Sequence, residues 1–147
     1  VISNSAGFSV ETGDWHTTKH LAKPIRLTVF VKEQGVPANI ELDPLDLDCQ
    51  HFIVLDEQAN AIATARLSKA GKLGRMAVLK AYRRKGAGGL LLDAASVYAI
   101  KQGLDKLVCH AQTEAVDFYK KQGFVAMGRP FQEAGIEHLQ MIKVLDT

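Results

Sequence analysis

Apolar residues change their spacing several times along this chain, and each change marks an element. From Trp15 to Phe30 they recur at helical intervals through Leu21, Ile25 and Val29, and Asp14 stands where a carboxylate can take the first free amides. The pattern predicts a helix from about Asp14 that Pro24 kinks or splits and that Gly35-Val-Pro37 ends. An acid-rich stretch, NIELDPLDLD, then reads as a polar loop. Beyond it the period shortens. HFIVL and AIATARL flank DEQAN, the mark of two antiparallel strands around a turn, and KLGRMAVL supplies a third strand.

Helical spacing returns with Leu91, Ala95, Tyr98 and Ala99 and stops at Lys101-Gln102-Gly103. KLVCHA is a further strand, EAVDFYKKQ a short helix closed by Gly123, and FVAMG and HLQMIKVL are two last strands. This order predicts an α/β (α+β) fold with mixed strand directions rather than a repeating βα array. No repeat, low-complexity tract or linker interrupts it, so residues 1–147 are expected to form one domain.

Composition narrows the function classes. With 18 basic and 16 acidic residues the formal charge is only +2, too small a field to make nucleic acid the main partner. Cys49 and Cys109 are too few for a disulfide framework, and nothing resembles a signal peptide or a membrane span. The expectation is a cytoplasmic protein with free thiols and no membrane partner. A homodimer is compatible with the sequence, which does not fix the oligomeric state.

The chemistry concentrates in GRMAVLKAYRRKGAGGLLLDAASVYAI, residues 74–100. Gly86, Gly88 and Gly89 permit close backbone approach where a helix begins, and the first amides of that helix lack acceptors at the positive end of its dipole. Arg83, Arg84 and Lys85 add positive charge, which makes a phosphate or pyrophosphate the natural ligand. A glycine-rich turn that merely enters a helix explains the same letters. Leu90, where a P-loop has Ser or Thr, argues against metal-assisted nucleotide chemistry, and a dinucleotide fingerprint is disfavoured because the basic residues come first and the next strand reads VCHAQ.

Two segments carry a resemblance. MAVLKAYRRKGAGGLL is similar to the strand, R-x-x-G-x-G loop and helix of the GNAT superfamily of acetyl-CoA-dependent N-acetyltransferases, and QTEAVDFYKKQGF to its N-x-x-A-x-x-F-Y-x-x-x-G-F segment. VFVKEQGVP, the acids before His51, CHAQ and FQEAGIEH resemble the ElaA-like or YjcF-like branch, so the likeness runs from about Asp14 onward. It implies a mainly antiparallel twisted sheet with a splayed central strand pair, acetyl-CoA as cosubstrate, no metal, and a small-molecule or peptide amine as acceptor.

The resemblance also implies site residues. Amides around Arg84, Lys85, Gly86, Ala87, Gly88 and Gly89 would hold pyrophosphate, with Arg83 beside them. Met76, Ala77 and Val78 would pair with the pantetheine arm through a bulged strand, the Val78 amide facing the thioester oxygen. Gln112, which stands where many relatives carry Asn, and Phe118 would touch the cofactor. Tyr119 would protonate the departing thiolate, its phenol being neutral near pH 7, although from the residues alone a packing role in the Phe118–Tyr119–Phe124 cluster is the better account and only the resemblance reverses it. Glu33 and Glu133, ahead of His138, are the candidate bases, and Glu33, Gln34, Glu133 and His138 the candidate acceptor contacts.

Other residues are read more plainly. Glu41, Asp43, Asp46 and Asp48 lack the central Gly and final Glu of an EF-hand. With Glu33, Glu133 and Glu137 they would form an acidic wall drawing a cationic amine, or they simply face solvent. His51 and His110 are expected to be structural, and Cys109 a buried filler. A CoA-binding regulatory module without turnover remains the alternative function.

Overall fold

The structure, a computed structural model, describes residues 3–41 and 43–146. Strand β1 (Ser9–Gly13) leads into helix α1 (Trp15–Arg26), whose N-cap is Asp14, with Oδ1 accepting from the Thr17 amide at 2.9 Å. Pro24 neither splits nor ends that helix. It donates no amide to the turn behind it, and the chain continues as π-helical turns over Leu27–Glu33, where Gln34 N donates to Val29 O five residues back. Gly35 at φ +73° then stops the run.

The acid-rich loop expected next is ordered as a helical turn, α2 (Ala38–Glu41), and a 3-10 turn (Pro44–Asp48). After it come β2 (Gln50–Leu55), β3 (Ala61–Leu67), β4 (Lys72–Val78), α3 (Ala87–Lys101), β5 (Lys106–Gln112), α4 (Val116–Lys121), β6 (Val125–Glu133) and β7 (Ile136–Val144). The strands form one seven-stranded sheet in the order β1-β2-β3-β4-β5-β7-β6, antiparallel everywhere except between β4 and β5. Strand β1 was not anticipated: SVETG offers one large apolar residue, and its extended form comes from pairing with β2, Ser9 opposite Leu55 to Gly13 opposite His51.

Helices cover both faces. On one, Leu91, Leu92 and Ala95 of α3 pack on Phe52, Leu67, Leu73, Leu107 and Met141. On the other, α1 and the π-helical turns place Ile25, Val29 and Phe30 against Val36 and Ala77, and Trp15 and Ala22 against Ile53 and Leu55. Burying one such aliphatic side chain is worth ~1.5–3 kcal/mol, so these faces carry most of the folding drive. Among the described residues no helix is long and apolar enough to cross a membrane.

One patch of the interior is charged. Arg26, 1% exposed, donates to Glu41 Oε1 at 2.6 Å and Asp46 Oδ1 at 2.7 Å, both acids being 2% exposed. Arg66 of β3 reaches Asp46 at 2.9 Å and Asp43 at 2.8 Å, and Arg75 of β4 reaches Glu41 and Asp43 at 3.0 Å each. Three cations thus meet three carboxylates. Burial lifts the Glu41 pKa above the ordinary carboxylate range despite Arg26 and Arg75, whereas at the less buried Asp43 the two neighbouring guanidinia, Arg66 and Arg75, outweigh burial and lower it. His51, its pKa lowered by burial, is held neutral and donates Nε2–H to Asp46 O at 2.9 Å, the structural role expected of it.

Removing one member of this cluster strands the charge opposite. Arg26→Met should therefore lower unfolding free energy by about 3–5 kcal/mol in urea titrations. A loss under about 1 kcal/mol, the range of exposed pairs, would show that the acids find other partners and that Arg26 does not hold them.

Candidate functional site

A cleft opens where the sheet changes direction. β4 and β5 are matched only at Lys72 opposite Val108 and Leu73 opposite Cys109, with Val108 N donating to Gly71 O at 2.9 Å. Beyond those pairs the strands diverge, and a cavity of about 900 Å³ lies between them, walled by Met76 on one side and by Cys109, Gln112 and Tyr119 on the other.

The divergence follows from a bulge. The β3–β4 register slips between Thr64, opposite Ala77, and Arg66, opposite Gly74, so β4 carries one extra residue at Arg75–Met76. Arg75 sits at φ +48°, a left-handed conformation worth roughly 1–3 kcal/mol of strain for a residue with a Cβ. The slip also changes which face each side chain meets: Leu73 packs with Met76 and Val78 on the α3 side, while Ala77 packs on the α1 side. Leu79 N donates to Ile62 O at 2.9 Å. In an antiparallel ladder the next residue turns the other way, which directs the Val78 amide and carbonyl from β3 into the gap. The carbonyl is taken by Arg83 Nε at 2.9 Å.

Above this bank lies the glycine-rich turn. Arg84 (φ +63°) and Gly86 (φ +89°) bend the backbone into a concave run at the start of α3, and no amide from Arg84 to Gly89 has an acceptor among the described residues. Such a nest suits the oxygens of a pyrophosphate. Asn4 braces it from outside, donating to Lys85 O at 3.0 Å while its Oδ1 accepts from Ala6 and Phe8 amides. The three basic side chains differ. Arg83 forks onto Glu33 at 2.8 and 3.0 Å, Lys85 lies over the Tyr82 ring, and Arg84 has no ion pair among the described residues. Arg83 is thus a fixed strut rather than a mobile charge.

Tyr119 on the opposite bank is 7% exposed, borders the cavity, and makes no hydrogen bond to a described residue. Burial pushes its phenol pKa well above the ordinary value, so the proton stays on through the neutral range. Burial likewise pushes the neighbouring Cys109 thiol to about 12, which leaves it unsuited to act as a nucleophile. Phe118 packs edge-on against Tyr119, whose other side meets Phe124.

Gln112 and Gln34 exchange amide hydrogen bonds of 2.8 and 3.3 Å across the mouth of the cleft. Further along, Glu133 accepts from His110 Nδ1 at 3.0 Å and lies 3.9 Å from His138 Nε2. Burial alone would raise Glu133, but the His110 contact outweighs it and keeps the carboxylate ionised. His138 Nδ1 is 2.7 Å from Ile136 O. A carbonyl can only accept, so Nδ1 carries the hydrogen and neutral His138 presents a lone pair at Nε2. Phe131 packs against both imidazoles.

Only part of the acidic wall stays open, since Asp48 borders the cavity without an ion pair among the described residues. Glu41, Asp43 and Asp46 are consumed by Arg26, Arg66 and Arg75, Glu33 by Arg83, and Glu133 by His110. Glu33 does not border the cavity, whereas Gln34, Glu133 and His138 do. His110 also borders it. Gly88 serves packing: a Cβ there would stand 2.9 Å from Phe118 Cζ. Arg75 and Asn4 carried no signal in the sequence, since their partners lie 32 and 81 positions away. Among the described residues no group of His, Cys, Asp or Glu side chains is arranged to hold a metal ion.

Comparison with known proteins agrees with this geometry. Residues 24–145 match the family described as an acetyltransferase (GNAT) domain. The chain is 43% identical over 122 residues to the uncharacterized N-acetyltransferase YjcF of Bacillus subtilis strain 168, covering 81% of this chain and 87% of that one. An acyl-CoA N-acyltransferase from Pseudomonas aeruginosa superposes with a TM-score of 0.81 at 27% identity, over 92% of this chain and 99% of the other. ElaA of Escherichia coli shares the fold, with a TM-score of 0.81 at 23% identity over 92% and 99% of the two chains.

The packing role of Gly88 is testable by stability. Gly88→Ala should destabilise, because an overpacking cost of ~1–3 kcal/mol exceeds the ~0.5–1 kcal/mol that alanine gains in a helix. Adding Phe118→Leu should recover the loss. Unchanged stability with weakened CoA binding would instead place the glycine's role at the phosphate.

Proposed function

The chain belongs to the GNAT acetyltransferase family, and from that premise we propose that it transfers an acetyl group from acetyl-CoA to a primary amine of a small molecule or peptide, by direct attack within a ternary complex. The observation that carries this reading is the cleft between β4 and β5, where the bulged strand leaves β5 on one bank and a buried, protonated phenol borders the cavity on the other.

Acetyl-CoA supplies the thioester, and every other task falls to residues of the chain. The amides of Arg84 to Gly89 take the pyrophosphate, with Arg84 as the available cation. Met76, Ala77 and Val78 lie along the pantetheine arm, and Gln112 and Phe118 border its path. The Val78 amide donates to the thioester oxygen as negative charge develops there, a contribution that grows in a site from which water is excluded. Tyr119 then gives its proton to the departing sulfur. A thiolate leaving into an apolar wall has few other donors, and the raised phenol pKa keeps that proton in place until it is needed.

The amine must first lose a proton. His138 is the base that this geometry favours, because its Nδ1–H is committed to Ile136 O and its Nε2 lone pair borders the cavity. Glu133, 3.9 Å from that nitrogen, stabilises the imidazolium that results. Glu33 is better suited to holding Arg83, and through it the Val78 carbonyl, than to taking a proton. Gln34 closes the acceptor side.

A panel of amines with acetyl-CoA, read as thiol release, tests the reading. Turnover should appear with at least one amine, and Tyr119→Phe should slow kcat by about 10²-fold with acetyl-CoA affinity little changed. Binding of acetyl-CoA without thiol release from any amine would favour a regulatory CoA-binding module, and wild-type turnover in Tyr119→Phe would reduce the phenol to packing.

A further inference from the structure

We propose that Arg75 is a positioning residue of the transfer site, whose guanidinium locks the β4 bulge in the register that turns the Val78 amide into the cleft. The functional half of this inference rests on the acetyl-transfer reading above. The structural half does not.

Three observations lead to it. A bulge with one residue in the left-handed region is ordinarily built on glycine, and Gly74 is adjacent, yet the left-handed position here is Arg75 at φ +48°. A side chain kept where it strains the backbone is held by its contacts, and Arg75 has them: Nε lies 3.1 Å from Glu41 O and 3.0 Å from Glu41 Oε2, and Nη2 lies 3.0 Å from Asp43 Oδ2. Those acids are anchored in turn, Glu41 by Arg26 of α1 and Asp43 by Arg66 of β3. The bulge is therefore tied to two other elements through buried charge.

The tie matters because ordinary strand pairing is missing where it is needed. Past Leu73, β4 has no β5 neighbour, so only the β3 ladder sets its register. A ladder with a bulge can relax by expelling the extra residue, and a slip of one residue exchanges the faces of Met76, Ala77 and Val78. The Val78 amide would then point at β3, and the Ala77 amide into the gap. Fixing residue 75 prevents that exchange.

Backbone hydrogen exchange in the ligand-free protein reads the register directly. In the wild type the Ala77 amide, paired with β3, should be protected and the Val78 amide should not. In Arg75→Ala, in Arg75→Gly, which removes the strain together with the anchor, and in the milder Asp43→Asn, the contrast should level or invert. In acetyl transfer the same variants should lose about tenfold or more in kcat, the cost of a small misplacement, while calorimetric affinity for free CoA, shared between Arg84–Gly89 and the pantetheine contacts of β4, should fall by less than kcat does. Arg75→Lys, with the charge but not the fork, should recover only part. An unchanged exchange pattern in Arg75→Gly and Asp43→Asn overturns the anchor, and an altered pattern with wild-type kcat overturns the positioning role. A rise confined to the acceptor KM overturns it too, in favour of a direct substrate contact. A wild type that transfers acetyl to no amine fails the functional reading alone, because the exchange pattern still decides whether Arg75 holds the bulge.

Discussion

Parallel pairing that stops after two residue pairs is the constraint on which this molecule turns. Two strands entering side by side at Lys72–Leu73 and Val108–Cys109 would ordinarily stay hydrogen-bonded to their ends, and a sheet so completed would have no interior for a ligand. The extra residue at Arg75–Met76 bends β4 away, and what would have been ladder becomes a wall with an unpaired amide. An exposed strand edge ordinarily invites pairing with whatever extended chain is near. Here that edge faces inward, beneath the π-helical turns and opposite Tyr119, where an extended arm carrying amides is the chemistry it can accept.

Holding such an edge open has an energetic cost, and the chain meets it with charge rather than with apolar packing. Arg26, Arg66 and Arg75 against Glu41, Asp43 and Asp46 are expensive to desolvate, and a well-packed hydrophobic cluster of the same volume would often be as stable. Apolar contacts, however, are tolerant of sliding. Bidentate and bridged guanidinium–carboxylate contacts are not, because each fixes both distance and plane. A region whose task is to keep one register out of two gains more from that directionality than from extra transfer free energy.

Most of the architecture was legible in the sequence because period and turn chemistry are local. Asp14 as a cap, DEQAN as a turn and the helical spacing of Leu91, Ala95 and Ala99 involve residues a few positions apart, and each stands in the structure. The failures share one cause. SVETG became a strand because β2 lies beside it, and NIELDPLDLD became ordered because three arginines from other segments pair with its acids. The same division runs through the candidate site: the turn that Gly86 makes at the start of α3 is local chemistry, whereas the partners of Glu33, Asn4 and Arg75 are set by folding alone.

Neutralisation of the acids alters what selects an acceptor. An open row of carboxylates would have made charge the first criterion, acting at a distance and weakened by salt. Glu41, Asp43 and Asp46 are matched by guanidinia, while Asp48 borders the cavity without an ion pair among the described residues and Glu133 is hydrogen-bonded by His110, so charge acts there from fewer groups than the sequence offers. In the proposed reaction an acceptor would also meet groups that act at contact distance, the amides of Gln34 and Gln112, the imidazoles of His110 and His138 and the ring of Phe30. These groups reward fit and hydrogen-bond direction over ionic state.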